Sequence, residues 1–145
     1  MKRRSISDIA GGGPIIQLTA TATVREASRL MDREKVGAVL VTDGGRLDGI
    51  FTERDALGRV LAKQLDPETT QLAEVMTADP TTIGPDASAI EALRLMRDGG
   101  FRHLPIVDQG RLIGIVSLRD FFGAELSEVE REQDFQAAIA EGSTS

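Results

Sequence analysis

The sequence predicts a mixed α/β (α+β) fold in which two small units, related by a pseudo-twofold axis, pack against each other sheet to sheet. Three observations predict it. The heptads GIFTERD (residues 49–55) and GIVSLRD (residues 114–120) lie 65 positions apart, and the same offset aligns further stretches. Hydrophobic periodicity gives each copy the order strand, helix, strand, strand, helix. Each copy has about 50 to 60 residues, a size at which burial is marginal for a domain standing alone.

Each unit begins with a short extended segment and an amphipathic helix. The segments PIIQLTA and PTTIGP precede Thr23 and Ser88, whose hydroxyls suit the N-terminus of a helix. Apolar residues then recur at helical spacing and predict one buried stripe per helix. These residues are Val24, Ala27, Leu30 and Met31 in the first copy and Ala89, Ala92, Leu95 and Met96 in the second.

A hairpin and a second helix complete each unit. VGAVLVTD and FRHLPIVD have the length of strands, DGG and DQG supply turn chemistry, and RLDGI and RLIGIV begin the return strands. Second helices are predicted at about 53–63 and 118–123. The chain therefore divides into a first unit at 8–63, a linker at 64–72, a second unit at 73–123 and an acidic C-terminal helix or tail at 124–145.

Composition excludes several classes of site and partner. The 145-residue chain has no cysteine and one histidine, which excludes thiolate metal sites, disulfides and a cysteine nucleophile, and leaves no histidine metal site within one chain. Residues 124–145 carry six acids and one arginine, so −5 of the total net charge of −6 lies in this segment. The body is therefore nearly neutral, and nucleic acid is an unlikely partner. No apolar run approaches the roughly 20 residues that span a bilayer. We expect a cytoplasmic protein with no membrane partner, no metal and no catalytic cofactor.

The terminal segments carry weaker signals. The basic cluster of Lys2, Arg3 and Arg4 is interpreted as a solvated terminus, with contact to an anionic partner as the alternative. GGGP at residues 11–14 is too short for a phosphate loop and is interpreted as a flexible lead into the first unit. In the acidic segment a weak apolar stripe predicts a helix for oligomer contact or docking, formed by Leu126, Val129, Phe135 and Ile139.

Each heptad ends a strand and places a hydroxyl at the N-cap and an aspartate at N3 of the next helix. One interpretation is a capping box with Asp in place of Glu, which stabilises the helix start by about 1 kcal/mol. Another is a ligand site, because a helix N-terminus with a hydroxyl and an arginine suits phosphate and an acceptor-only carboxylate suits vicinal ribose hydroxyls. The duplication favours a pair of ribose-phosphate sites. Their residues are Thr52, Arg54 and Asp55, and Ser117, Arg119 and Asp120.

Taken whole, the repeat resembles a tandem pair of CBS domains, the Bateman module, and in particular small stand-alone bacterial CBS-pair proteins. The resemblance covers about residues 5–123. It rests on ATVREASRLM and ASAIEALRLM, on GAVLVTDGGRLDGIFTERD and FRHLPIVDQGRLIGIVSLRD, and on EVMTADPTTIGPDAS before the second copy.

The resemblance implies a regulatory, non-enzymatic module that binds adenosine-containing ligands in two clefts. AMP, ADP and ATP are the expected ligands, with S-adenosylmethionine, NAD or cyclic dinucleotides in some members and Mg²⁺ accompanying ATP. It implies that Asp55 and Asp120 hold ribose hydroxyls and that Thr52 and Ser117 help to hold phosphate or ribose. It places at the base and phosphate pockets Gly37, Ala38, Val39, Arg102, His103, Leu104 and Pro105, and at the base pocket Gln17, Leu18, Thr82 and Ile83. It also implies a homodimer and a regulated partner protein of unknown identity.

The two copies differ where ligand phosphate is expected. Arg102-His103 stands in the second copy where the first has Gly37-Ala38, so we expect one cleft to dominate binding. If the Arg102-His103 side dominates, Asp120→Ala is expected to weaken binding more than Asp55→Ala. Two alternatives remain: a structural dimerisation module with vestigial clefts, and a small enzyme with His103 as a base. The barrel and catalytic cysteine of IMP dehydrogenase, the best-known catalytic protein with such a pair, have no counterpart here.

Overall fold

The computed structural model describes residues 3–10 and 15–142, and it shows two similar units in which a helix packs on a small sheet. In chain order the elements are α1 (Ile6–Ile9), β1 (Gln17–Leu18), α2 (Val24–Glu34), β2 (Ala38–Asp43), β3 (Arg46–Thr52), α3 (Glu53–Asp55) continued by a π-helix (Ala56–Leu61), α4 (Leu72–Val75), β4 (Thr77–Ala78), α5 (Ala89–Gly99), β5 (His103–Asp108), β6 (Arg111–Ser117) followed by a 3₁₀ turn (Leu118–Asp120), and α6 (Gly123–Gly142). Within these described ranges, no helix combines the length and apolar character needed to cross a membrane.

The two hairpins repeat each other in detail. The first sheet has the order β1-β2-β3-β4, with β1 parallel to β2 and the other pairs antiparallel. The second is the antiparallel hairpin β5-β6. Both hairpins carry an irregularity at the same point, between Val41 and Thr42 and between Ile106 and Val107. The offset of 65 read from the sequence is therefore preserved in the strand register.

The helices α2 and α5 begin at the predicted caps. Thr23 Oγ1 accepts from the backbone N–H of Glu26 at 3.2 Å, and the Thr23 N–H donates to the Glu26 carboxylate at 3.3 Å. Ser88 and Glu91 make the same reciprocal pair, with both distances 3.1 Å. Each capping box satisfies two backbone N–H groups that lack partners within the helix.

Each core contains a short helix contributed from elsewhere in the chain. Ile6 of α1 is fully buried in the core beneath α5 and the β5-β6 hairpin, whereas Leu72 and Val75 of α4 lie in the core of α2, β2 and β3. Backbone hydrogen bonds fix both segments, from Ile6 N–H to Ala87 O at 2.8 Å and from Leu72 N–H to Ala22 O at 2.9 Å. The N-terminal segment thus packs with the second unit, and the segment after the linker packs with the first.

The units meet sheet to sheet, which confirms the predicted fold class. β2 is buried on both faces: Val39 and Val41 belong to the core of the first unit, and the alternate residues face the second unit. Those residues form a third apolar cluster between the sheets, with Ala38, Leu40 and Ile50 buried and Leu47, Leu112 and Ile115 packed against them.

The second helix of the second unit differs from the prediction. Instead of a helix over 118–123, the structure has a 3₁₀ turn that ends before Phe121, whose backbone is extended at φ −95° and ψ 151°. The break follows from packing, because the Phe121 side chain is buried in the second core. The Phe122 N–H then donates to the Glu125 carboxylate at 2.8 Å, and this bond marks the start of α6.

The acidic C-terminal segment is a helix, and three of its acids pair with arginines of the same chain. Arg4 makes two hydrogen bonds to Glu125, at 2.6 and 3.2 Å, and its guanidinium lies 3.6 Å from the centroid of the Phe122 ring. The Arg4 hydrogen bond holds the pKa of Glu125 below its ordinary value. Arg3 donates to Glu128 at 2.7 Å. Arg3 and Arg4 of the basic cluster therefore hold α6 against the second unit and are not only part of a solvated terminus. Lys2 and residues 11–14 lie outside the described part of the chain.

The predicted apolar stripe of α6 divides into a buried and an exposed half. Val129 is buried in the second core and Leu126 packs against it. Further along, Phe135 and Ile139 are exposed, by 67% and 56%. Arg94 of α5 fixes the middle of the helix through two bonds to Glu132, at 2.6 and 3.1 Å. Only the first half of the stripe thus contributes to the core.

Candidate functional site: two cavities between the repeats

Two cavities lie where the units meet, and each combines one heptad with the strand start of the other unit. The larger has a volume of about 650 Å³ and includes Ile50, Thr52, Asp55, Phe101, Arg102 and His103 in its lining. The smaller has a volume of about 120 Å³ and includes Ile115, Ser117, Asp120, Val36, Gly37 and Ala38. Every residue of the second set lies 65 positions from its counterpart in the first, so the two cavities are related by the pseudo-twofold.

This crossed arrangement corrects one expectation from the sequence. Arg102 lines the larger cavity together with Asp55, whereas Asp120 lines the smaller one. The pseudo-twofold brings the start of β5 beside the end of β3, so Arg102 of the second repeat lines the same cavity as Asp55 of the first. His103 lines both cavities. The dominant cleft is therefore expected at Asp55, and not at Asp120.

A pair of arginine contacts ties the units together beside the cavities. Arg54 Nη1 donates to the carbonyl of Gly100 at 2.9 Å, and Arg119 Nη2 makes the equivalent, longer contact of 3.5 Å to the carbonyl of Lys35. Gly100 and Lys35 are the left-handed C-caps of α5 and α2, with φ of 71° and 57°. The heptad arginines therefore satisfy helix-end carbonyls of the opposite unit, and this use accompanies any role in holding phosphate.

The Asp55 carboxylate serves as a helix cap and retains an oxygen for a ligand. Its Oδ2 accepts from the Thr52 N–H at 2.9 Å and from Thr52 Oγ1 at 3.1 Å. Its Oδ1 lies 3.6 Å from Arg59 Nε. A carboxylate has about four lone-pair sites, so Oδ1 can accept hydrogen bonds from hydroxyls in the cavity while Oδ2 holds the cap. The two interpretations of the heptad are therefore compatible.

The second heptad forms only half of its capping box. The Ser117 N–H donates to Asp120 Oδ2 at 2.7 Å. Ser117 Oγ is buried and has no hydrogen-bond partner among the described residues. A buried hydroxyl without a partner is uncommon in folded proteins, and this one remains available to a polar group in the smaller cavity.

Charge also distinguishes the cavities. The larger one is lined by three arginines and three acids, and the smaller one by Arg119 and Asp120 with His103 at its edge. Burial lowers the pKa of His103; Arg119 and Arg102 act in the same direction, while Glu53 and Asp120 oppose them. The ring is therefore neutral at neutral pH. The charged residues of the larger cavity are Arg54, Arg59 and Arg102 with Glu53, Asp55 and Asp79.

Several residues that the sequence analysis placed at the site lie elsewhere. Val39 and Leu104 are buried in the cores, Pro105 is fully buried, and Ile83 belongs to the second core. Thr82 is exposed and lines neither of the two cavities. Gln17 and Leu18 line a separate, open depression of about 490 Å³. In these two segments, the residues that line the cavities are Thr81, next to Thr82, and Ile16, next to Gln17.

Other lining residues were missed, although the repeat contained a signal for them. Thr81 and Phe101 line the larger cavity, and Ile16 and Val36, 65 positions earlier, line the smaller one. Applying the offset to every residue near the heptads would have found these pairs. The remaining missed residues of the larger cavity include Glu53, Arg59, Thr77, Asp79 and Pro80.

The larger cavity has the size of a small-molecule site. Pockets for such ligands range from about 300 to 1,000 Å³, which includes the larger cavity and excludes the smaller one. Across residues 3–10 and 15–142, no three His, Cys, Asp or Glu side chains are grouped so that they could hold a metal ion. The geometry instead offers arginines and carboxylate oxygens to a polar organic ligand.

The family of the chain follows from its two units. Residues 6–62 and 72–127 each match the CBS domain family. The chain belongs to the CBS domain family. This confirms the predicted tandem pair.

The relatives of this CBS pair differ in how much of their own length it covers. The CBS domain-containing protein YhcV of Bacillus subtilis is 36% identical over 113 residues, which are 78% of this chain and 80% of YhcV. The CBS domain-containing protein CBSCBSPB2 of Arabidopsis thaliana is 40% identical over 119 residues, and the chain covers only 22% of its length. Among solved structures, the CBS domain protein PAE2072 from Pyrobaculum aerophilum, complexed with AMP, has a TM-score of 0.78 at 28% identity, over 88% of this chain and 99% of that one.

Proposed function

We propose that this CBS pair is a regulatory module that binds an adenine nucleotide, AMP, ADP or ATP, in the larger cavity. The observation that carries the proposal is the Asp55 carboxylate at a cavity of about 650 Å³, where one oxygen maintains the helix cap and the other remains available to a ligand. The AMP complex of the Pyrobaculum aerophilum protein supports the choice of ligand.

The lining residues have distinct parts in this binding. Asp55 Oδ1 accepts hydrogen bonds from the ribose hydroxyls, since an ionised carboxylate is acceptor-only. Arg102 and Arg54 provide the cations for phosphate, which arginine can bind with two parallel hydrogen bonds. Arg59 is held by the carbonyls of Val75 and Met76 and lies beside Asp55. Ile50 and Phe101 provide apolar surface for the base.

The nucleotide acts as a signal: it binds and dissociates without being chemically converted. Proteins of this family are generally regulatory modules, which favours a binding role over catalysis. The signal passes to a second copy of the chain or to a regulated protein. Leu57 and Leu61, next to the first heptad, are exposed by 64% and 65% and supply apolar surface for such an association.

Ligand-dependent stability tests the proposal. A ligand at 100 times its dissociation constant stabilises the folded state by about 2.7 kcal/mol, which for a chain of this length raises the melting temperature by roughly 5 to 11 °C. AMP, ADP and ATP are compared in thermal melts, with GMP as the control for the base. No shift with any adenine nucleotide would favour the structural dimerisation module, and conversion of the nucleotide, followed by chromatography, would favour an enzyme.

A further inference from the structure

The wall between the two cavities is built by a side chain from only one unit. His103 and Gly37 are the residues that line both cavities. A Cβ placed on Gly37 would lie 3.3 Å from both Cε1 and Nε2 of His103, so the imidazole edge rests against the Gly37 backbone. The pseudo-twofold equivalent of His103 is Ala38, and that of Gly37 is Arg102. A ring thus stands on one side of the axis and a methyl group on the other.

This difference accounts for the unequal volumes. On the side of the first unit, the larger cavity is bordered by Gly37, which has no side chain to occupy it. On the side of the second unit, the smaller cavity is bordered by His103, whose imidazole also lines the larger one. Ala38, the equivalent of His103, is absent from the lining of the larger cavity. The ring therefore takes up volume on the Ser117 side that an alanine leaves open on the Thr52 side.

The smaller cavity lacks room more than it lacks binding groups. Its Asp120 is held by the Ser117 N–H through Oδ2, in the same way as Asp55 is held by the Thr52 N–H. Ser117 Oγ, buried and without a partner in the described part of the chain, is an additional group that a ligand could bond. The chemistry for ribose is present, and the volume of about 120 Å³ is too small for a nucleoside.

We propose that His103 restricts this CBS pair to one nucleotide per chain, because its imidazole fills the space that a second nucleoside would need beside Ser117 and Asp120. The inference rests on the proposed function of the larger cavity. It makes His103 a residue that determines binding stoichiometry, in addition to its position in the wall of the larger cavity.

Calorimetric titration with AMP tests the inference, with stoichiometry as the readout. The wild-type chain is expected to bind one AMP. His103→Ala is expected to bind two, and the second event disappears in the double variant His103→Ala/Asp120→Asn. His103→Gln, which retains most of the side-chain length, is the matched control and is expected to bind one. Ala38 occupies the equivalent strand position, so an alanine at residue 103 is compatible with the fold, and His103→Ser serves as a second small variant.

The outcomes distinguish a failure of this inference alone from a failure of the proposed function. One AMP on the wild type and still one on folded His103→Ala overturns the inference and leaves the proposed function standing. No AMP on either protein overturns both. Two AMP molecules on the wild type overturn the inference directly. A crystal of the wild-type protein grown with excess AMP gives the same decision without a variant, because density beside Asp120 contradicts the proposal and density only beside Asp55 supports it.

Discussion

Replacing Asp55 by asparagine tests the crossed arrangement of the cavities at a single atom. The Asn carbonyl can take the place of Oδ2 and keep the 2.9 Å bond from the Thr52 N–H, so the helix cap survives. The amide NH₂ then takes the place of Oδ1, where it faces the cavity and Arg59. The change therefore converts the group offered to ribose from an acceptor into a donor.

The size of the effect follows from the hydrogen bonds that change. A hydrogen bond to a charged group contributes about 1.5–3 kcal/mol, so the loss of one carboxylate acceptor weakens nucleotide binding about 10- to 150-fold. Folding stability changes by less than about 1 kcal/mol, because the cap bond is kept and the ion pair that is lost is long, at 3.6 Å, with its arginine half-exposed. Asp120→Asn, at the equivalent position in the smaller cavity, weakens binding by less than about threefold by the same reasoning, since no nucleotide is expected there.

Isothermal titration of both variants with AMP gives the comparison. The melting temperature of each protein without ligand shows that the fold is retained. A larger loss for Asp120→Asn than for Asp55→Asn would refute the crossed arrangement and restore the pairing of Arg102 with the heptad of its own repeat. Equal losses would refute the argument that the small volume excludes a nucleotide.

Three further predictions concern stability. Gly49→Ala places a Cβ 2.6 Å from the Met76 sulfur and 2.8 Å from the Thr77 carbonyl of β4, so it is expected to lower the free energy of unfolding in urea by roughly 1–3 kcal/mol. At the equivalent Gly114 the nearest atom is 3.4 Å away, and Gly114→Ala is expected to cost less than about 1 kcal/mol. Similar losses for the two variants would contradict this account. Arg4→Ala removes two hydrogen bonds to Glu125 and a cation–π contact, and it is expected to lower the free energy of unfolding by about 1–2 kcal/mol. Arg3→Ala, whose wild-type side chain is 60% exposed, is expected to lower it by at most about 1 kcal/mol. The reverse order would be evidence against docking of α6 by Arg4. Because burial lowers the pKa of His103, its neutral ring favours folding above the unfolded pKa of about 6.5, and this contribution is lost as the pH falls through the folded pKa. Between pH 7.5 and pH 5.5, the free energy of unfolding is therefore expected to drop less for His103→Gln than for the wild type. Equal drops in the two proteins would exclude His103 as the cause.

The repeat, the helix starts and the fold class could be predicted because their signals are local. Thr23 and Ser88 cap their helices through residues three positions on, and each hairpin is indicated by a continuous apolar run followed by a turn. The placement of α1 and α4 could not be predicted in the same way. A four-residue helix with Ile6 as its buried residue shows that a core exists, but the pattern does not say which of two similar cores receives it.

The same limit applies to the cavities. The offset of 65 identifies Arg102 as the equivalent of Gly37, and this equivalence is visible in the sequence alone. Whether Arg102 faces Asp55 or Asp120 depends on how the two sheets pack, which involves contacts between distant parts of the chain. Likewise, the break at Phe121 results from the burial of one ring in a core, and a helical pattern over 118–123 does not reveal it.

The contacts beside the larger cavity connect it to the outer surface through α5. Arg54 of the first heptad donates to the Gly100 carbonyl at the end of α5, and Arg94 of the same helix binds Glu132 of α6. If the proposed nucleotide places its phosphate at Arg54, the phosphate competes with the Gly100 carbonyl for this guanidinium, which would link binding to the hold on α5. A linkage of this kind changes affinity only if the ligand binds differently when Arg54 is bonded to Gly100 and when it is released. Because α6 lies on α5 and presents Phe135 and Ile139 to solvent, it is the surface on which such a difference would reach a partner.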